Sequence, residues 1–106
     1  MPKCVVTGAT GHIGNVLIKE LIQKNYEVTA FVLEGEDITF LKEFPIQFAY
    51  GDVRKIETLK QAFRGKDMVF HLAGIIEIGS TNKKLMKEVN VQGTKNVWQA
   101  CKEEKI

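Results

Sequence analysis

Apolar positions along this chain switch between two rhythms, and the switching predicts the fold class. Residues 3–7 are a β-branched run ending in glycines, the pattern of a buried strand. Residues 12–24 then place Ile13, Val16, Leu17, Leu21 and Ile22 along one helical face, and Asn25 stops the helix. A second strand is expected over 27–33, where Val28, Ala30 and Val32 alternate with Thr29 and Phe31. An acidic turn, 34–37, leads to a short helix over 38–44 that Pro45 ends. Residues 46–50 read as a third strand, and 56–63 as a helix closed by Gly65. The fourth strand, 68–73, is apolar on both faces, as a central parallel strand should be. After a glycine-bearing loop, 82–103 makes the longest helix. Leu85, Val89, Val97 and Cys101 form its stripe, with Met86 and Trp98 flanking.

Strands that alternate with helices imply βαβ units and a parallel sheet, because parallel strands need a crossover. Right-handed crossovers then favour an α/β, doubly wound sheet in the order 3-2-1-4. The first two crossovers are expected to cover one face. The helix before strand 4 and the final helix cover the other. No internal repeat or linker divides the 106 residues, which fit one domain.

The segment Val5-Val6-Thr7-Gly8-Ala9-Thr10-Gly11-His12-Ile13-Gly14 carries the chemistry. Its glycines recur every three residues, directly after a strand and at the opening of a helix. Gly8 permits the sharp turn, Gly11 lets a diphosphate approach the backbone, and Gly14 lets the helix pack on the sheet. Amides at the helix start, with roughly half a positive charge from the helix dipole, then face the anion. Thr10, His12 and Ile13 belong to this turn, His12 as a donor of its backbone amide. A P-loop is excluded, since no Gly-Lys-Ser/Thr follows at the required distance. A methyltransferase-type glycine loop also sits after strand 1 but explains the later motifs poorly.

Composition narrows the partners. A net charge of +2 gives no reason to invoke nucleic acid or an anionic membrane surface, and Lys83, Lys84 and Lys87 read as a solvated face. Cys4 and Cys101 lie far apart in apolar patterns, so both are expected as buried free thiols. With two isolated histidines they make no metal-ligand spacing. The longest apolar stretch is too short to span a bilayer, and the start of the chain lacks a signal-peptide core. A cytoplasmic protein is expected.

The spacing Thr-Gly-x-x-Gly-x-x-Gly resembles the extended branch of the short-chain dehydrogenase/reductase family, which includes nucleotide-sugar epimerases, dehydratases and dihydroflavonol-reductase-like enzymes. Gly51-Asp52-Val53 looks like that family's adenine contact, in which the aspartate accepts from the exocyclic amine. Phe70-His71-Leu72-Ala73-Gly74 looks like its strand-4 end, whose backbone runs along the cofactor. Asn90-Val91-Gln92-Gly93-Thr94-Lys95-Asn96 matches its Asn-Val-x-Gly-Thr-x-Asn helix, where the asparagine stabilises the active-site architecture. The resemblance implies a Rossmann-like domain that binds NAD or NADP through Gly8, Thr10, Gly11, His12, Ile13, Gly14, Leu33, Asp52, Val53, Leu72, Ala73, Gly74 and Asn90. It also implies a parent epimerase, dehydratase or reductase acting on a sugar nucleotide or another carbonyl or hydroxyl substrate. His71 reads as a core-facing strand residue, and Asp52 has a second reading as a helix cap.

Two departures from the family stand out. At the end of strand 2 the position of the family's acidic residue falls on Val32, and that of the reductase-like arginine on Leu33. Glu34, one step on, is the remaining candidate for the ribose, and the choice between NAD and NADP stays open. The family's catalytic serine or threonine and its Tyr-x-x-x-Lys pair do not occur: Tyr26 is followed by Ala30 and Tyr50 by Arg54. The expectation is a partial NAD(P)-binding domain over 1–106, truncated after the fourth strand and its following helix, with no substrate domain and no catalysis of its own. It should self-associate through strand 68–73 or helix 82–103. The alternatives are a non-catalytic dinucleotide-binding regulatory module and a scaffold fragment with little cofactor affinity.

Overall fold

The computed structural model describes residues 1–72 and 88–106. Its strands are β1 (Lys3–Thr7), β2 (Glu27–Val32), β3 (Gln47–Tyr50) and β4 (Met68–His71). They form one parallel sheet in the order β3-β2-β1-β4. Helices α1 (His12–Gln23) and α2 (Ile56–Phe63) make crossovers, and α3 (Gly93–Glu103) follows a π-turn over Glu88–Gln92.

Alternation along the central strands divides the core. Cys4 and Val6 of β1, with Val28, Ala30 and Val32 of β2, face Ile18 and Leu21 of α1 and Leu41. Val5 and Phe31 face the other way, onto Leu59, Ala62 and Phe63 of α2 and Val97 and Ala100 of α3. Each large side chain buried in these layers contributes about 2 kcal/mol. The expected assignment of crossovers to faces holds.

Helix ends follow the expected chemistry. Asn25 adopts a left-handed φ of 65°, and Tyr26 N–H reaches back to the Leu21 carbonyl, which closes α1. Gly65, at φ 75°, follows α2 in the same way.

Several expectations are corrected. On α1 the buried positions are Gly14, Ile18 and Leu21, whereas Ile13 and Val16 are exposed. Gly14 lies so close to the glycine turn that it sets the rotation of the helix and swings positions 13 and 16 outward. β2 ends at Val32, and Thr29 and Phe31 are buried with the rest, so both of its faces are covered. Residues 38–44 give only a 3-10 turn, Leu41–Glu43. All four residues of β4 are half-buried rather than fully enclosed, because among the described residues β1 is its one strand neighbour. Cys4 is buried, but Cys101 only partly. Trp98 faces outward from α3. The expected helix over 82–103 is met from 93 onward; Leu85, Met86, Lys83, Lys84 and Lys87 lie outside the described residues.

Candidate functional site

The carboxyl ends of β1 and β4 lie at the point where the sheet reverses its winding, the usual crevice for a ligand in this architecture. β1 runs into Gly8, whose φ of 70° is the left-handed value that turns the chain sharply. Gly14 then packs directly on that turn. A Cβ there would sit 2.6 Å from the Gly8 carbonyl oxygen and 2.7 Å from the Ala9 Cα. Gly11 differs: a Cβ built on it meets only the Gly8 oxygen, at 3.5 Å. The space in front of Gly11 is therefore open among the described residues.

Gly11 is also the N-cap of α1 and offers no side chain to its first amides, and the first turn holds no acidic residue. The amides of His12, Ile13 and Gly14 are the ones a helix start leaves without an intrahelical partner. An anion seated at Gly11 meets these donors and the positive end of the helix dipole. The donor set, the open space and the field suit a diphosphate. Exposed Ile13, Leu33 and Leu72 add apolar walls at this end of the sheet.

The end of β2 is tied to the glycine turn. Glu36 accepts from the Leu33 backbone N–H and from the Thr10 hydroxyl, each at 2.7 Å. Glu34, the residue singled out by spacing, is not the one that makes this link. Beside it lies a cleft of about 190 Å³ bordered by Thr10, Gly11, His12, Asn15, Asp37 and Phe40.

The loop after β3 is joined to the β2 end by the Gly51 N–H on the Val32 carbonyl. Gly51 has no room for a side chain, since a Cβ would fall 2.6 Å from the Thr58 Cβ and 2.7 Å from the Phe31 ring. Asp52 N–H donates to Thr58 Oγ1, and Asn96 of α3 donates to the Val53 carbonyl at 2.9 Å. The Asp52 carboxylate grips Arg54, accepting from its backbone N–H, Nε and Nη2. The Arg54 guanidinium holds the Asp52 carboxyl below the usual carboxylate range. Asp52 does not cap α2, whose N-cap is Lys55.

At the end of β4 a directed chain of hydrogen bonds joins sheet to helix. Leu72 N–H donates to Thr7 Oγ1. His71 Nδ1 lies 2.7 Å from that same oxygen, and His71 Nε2 lies 3.1 Å from Thr94 Oγ1. Thr94 in turn donates to the Asn90 carbonyl at 2.7 Å. With the Thr94 proton committed, its oxygen accepts from Nε2–H, and Nδ1 accepts from Thr7. This is the neutral ring with its proton on Nε2. Burial also lowers the His71 pKa, favouring that neutral form.

The structure thus gathers Gly8, Thr10, Gly11, His12, Ile13, Gly14, Leu33 and Leu72 around one crevice. Asp52 and Val53 stand beside the β2 end, and Asn90 is linked to β4 through Thr94 and His71. Ala73 and Gly74 lie outside the described residues. Glu36, Thr7, Thr94 and Asn96 were not singled out by the sequence as site residues. For Thr94 a signal existed: it lies one helical turn beyond Asn90. For Glu36 only its place within an acidic turn hinted at a role. Among the described residues no cluster of side chains suits a metal, and no helix is long and apolar enough to cross a membrane.

Residues 5–106 match the model of the 3-beta hydroxysteroid dehydrogenase/isomerase family. Sterol demethylase protein B of Methylococcus capsulatus is 32% identical over 98 residues, which cover 92% of this chain and 30% of that protein. The human sterol-4-alpha-carboxylate 3-dehydrogenase, decarboxylating, is 34% identical over 102 residues, covering 95% of this chain and 26% of its own length. The chain therefore spans less than a third of either relative. The UDP-glucose 4-epimerase of Thermus thermophilus, solved in complex with NAD, is similar at a TM-score of 0.83 and 25% identity, covering 98% of this chain and 35% of that one.

Proposed function

The chain belongs to the 3-beta hydroxysteroid dehydrogenase/isomerase family, and from that premise we propose that it is the NAD(P)-binding part of an oxidoreductase acting on a sterol-like alcohol or ketone. This is the extended short-chain dehydrogenase/reductase relationship that the glycine and Asn-Val-x-Gly-Thr motifs imply. The sterol names of the relatives support the substrate class, and the NAD-bound epimerase supports the cofactor.

The observation that carries the reading is the glycine turn, packed tight at Gly14 and open at Gly11 over a bare helix start. When bound, the dinucleotide supplies the hydride acceptor or donor. His12, Ile13 and Gly14 offer amides to its phosphates, and Leu33 and Leu72 present apolar surface. Asp52 and Val53 are assigned to the adenine end, with Arg54 and Asn96 holding that loop. Ala73, Gly74 and Asn90 keep the roles that the resemblance implies. No proton-transfer role is assigned to any described residue.

The same reading includes self-association, through the edge of β4 that no described strand covers or the outer surface of α3. Exposed Trp98 and a groove of about 600 Å³ between α3 and Ile56 support the helix surface.

Calorimetric titration with NAD, NADH, NADP and NADPH tests the proposal. At least one should bind saturably, and Gly11→Ala should weaken it about tenfold or more, because the added methyl stands where the phosphate approaches. At its φ of −76° and ψ of 169°, with only an ordinary contact to Gly8, alanine leaves the fold intact. Absence of binding to all four, or an unchanged affinity in Gly11→Ala, defeats the reading.

A further inference from the structure

The Asp52 carboxylate, assigned above to the adenine end of the cleft, has its acceptors already taken. Oδ1 receives the Arg54 backbone N–H at 2.9 Å, Nε–H is shared between the two oxygens at 3.1 Å from each, and Nη2 closes on Oδ2 at 2.7 Å. An ionised carboxylate offers about four lone-pair sites, and this fork fills them from a residue of the same loop. The Asp52 side chain is 13% exposed and that of Arg54 39%, so the guanidinium lies between the carboxylate and solvent. The loop backbone is pinned as well. Asp52 N–H donates to Thr58 Oγ1, which lies 2.9 Å from the Asp52 carbonyl oxygen, and Asn96 holds the Val53 carbonyl.

Resting on the dinucleotide reading above, we propose that Arg54 withholds Asp52 from the exocyclic amine of adenine, so that this end of the cleft holds a purine ring without reading its exocyclic substituent. A neutral amine that reached Asp52 would replace a bidentate contact with a cation by a single hydrogen bond. Arg54 is also bonded to Asp52 through its own backbone N–H, so opening the fork leaves the guanidinium beside the same oxygens. Its planar head is pre-organised for the carboxylate and loses little freedom on closing again.

Calorimetric titration with NADH, and with its analogue carrying unsubstituted purine in place of adenine, isolates the amine. In the unaltered chain the two should bind within about threefold of one another. Arg54→Ala removes the fork but keeps the backbone N–H on Oδ1, so the carboxylate stays in place with acceptors to offer. That variant should prefer NADH by about tenfold, through tighter binding of NADH and a nearly unchanged affinity for the purine analogue. Loosening of the loop alone would weaken both nucleotides together and leave their ratio where it was. A preference above about threefold in the unaltered chain overturns the inference while leaving the dinucleotide reading in place. So does an Arg54→Ala variant, folded by circular dichroism, that keeps the original ratio. Failure of both nucleotides to bind overturns the dinucleotide reading and this inference with it. The ratio in the unaltered chain stands as a test whether or not the variant folds.

Discussion

At Gly14 a single absent carbon governs how the first helix meets the sheet. The nearest atoms to a Cβ there are all backbone, which cannot swing aside as a side chain would. Gly14→Ala should therefore destabilise the fold by about 3 kcal/mol, read from the shift in denaturant midpoint, whereas Gly11→Ala should leave the midpoint nearly unchanged. The sequence spacing alone assigns both roles, since a glycine repeat between strand and helix admits few others. His71 was less legible. Its apolar neighbours pointed to a core position, but the chain from Thr7 to Asn90 depends on pairs separated by 64 and 23 residues. Its pH consequence has a definite sign. The folded-state pKa is lowered by burial, so the unfolded chain takes up the proton first as pH falls. Stability from the neutral ring is full above the unfolded value of about 6.5 and is lost as pH falls toward and through the folded value. Denaturant midpoints measured from pH 7.5 to 5.0 should fall in the unaltered chain, and this part of the slope should vanish in His71→Asn.

The elements themselves were written in apolar runs, and what was misread has local causes. Strands β1, β3 and β4 and helix α2 lie close to where pattern placed them, because each is bounded by glycine, proline or charge. The stretch 38–44 has helical composition, yet the Asp37 carboxylate ties down Thr39 and the backbone before Pro45 is already extended at Phe44, with ψ 148°. One short turn is all that fits. The π-turn before α3 was also hidden, since a single inserted residue leaves the composition unchanged while shifting the phase of the helix. That phase turns Val97 and Ala100 to the core and places Asn96 beside the β3 loop. Asn96→Ala should remove the donor to the Val53 carbonyl, at a cost of about 1 kcal/mol. Because α3 remains anchored by Val97 and Ala100, the loss should be local: hydrogen exchange should quicken across residues 52–55 while the strands keep their protection.

Across the whole molecule the two faces of the sheet are covered, and the remaining demand lies at its margin and on the outer side of α3. β4 presents an edge of four half-buried residues, Met68, Val69, Phe70 and His71, with β1 its sole strand neighbour among the described residues. A strand edge with this apolar character is a template for further pairing. On α3, Trp98 is 64% exposed, with the Lys102 ammonium 4.5 Å from its ring centre. The pattern points to strand 68–73 and to the Leu85–Cys101 stripe of the last helix, but Val97 of that stripe packs into the core, which leaves the Trp98 side as the outer surface of α3; which margin associates depends on packing that a single chain does not display. Trp98 decides the matter by itself, being the only tryptophan in the sequence. Sedimentation equilibrium should show mass rising with concentration. If α3 forms the contact, Trp98 becomes shielded from acrylamide over the same range, and Trp98→Glu returns the chain to a monomer by placing a charge in a desolvated interface. If the β4 edge pairs, mass rises while Trp98 stays as open to quencher as in dilute solution. A chain that sediments as a monomer at high concentration excludes both, and would mean that the apolar margin is satisfied within one copy.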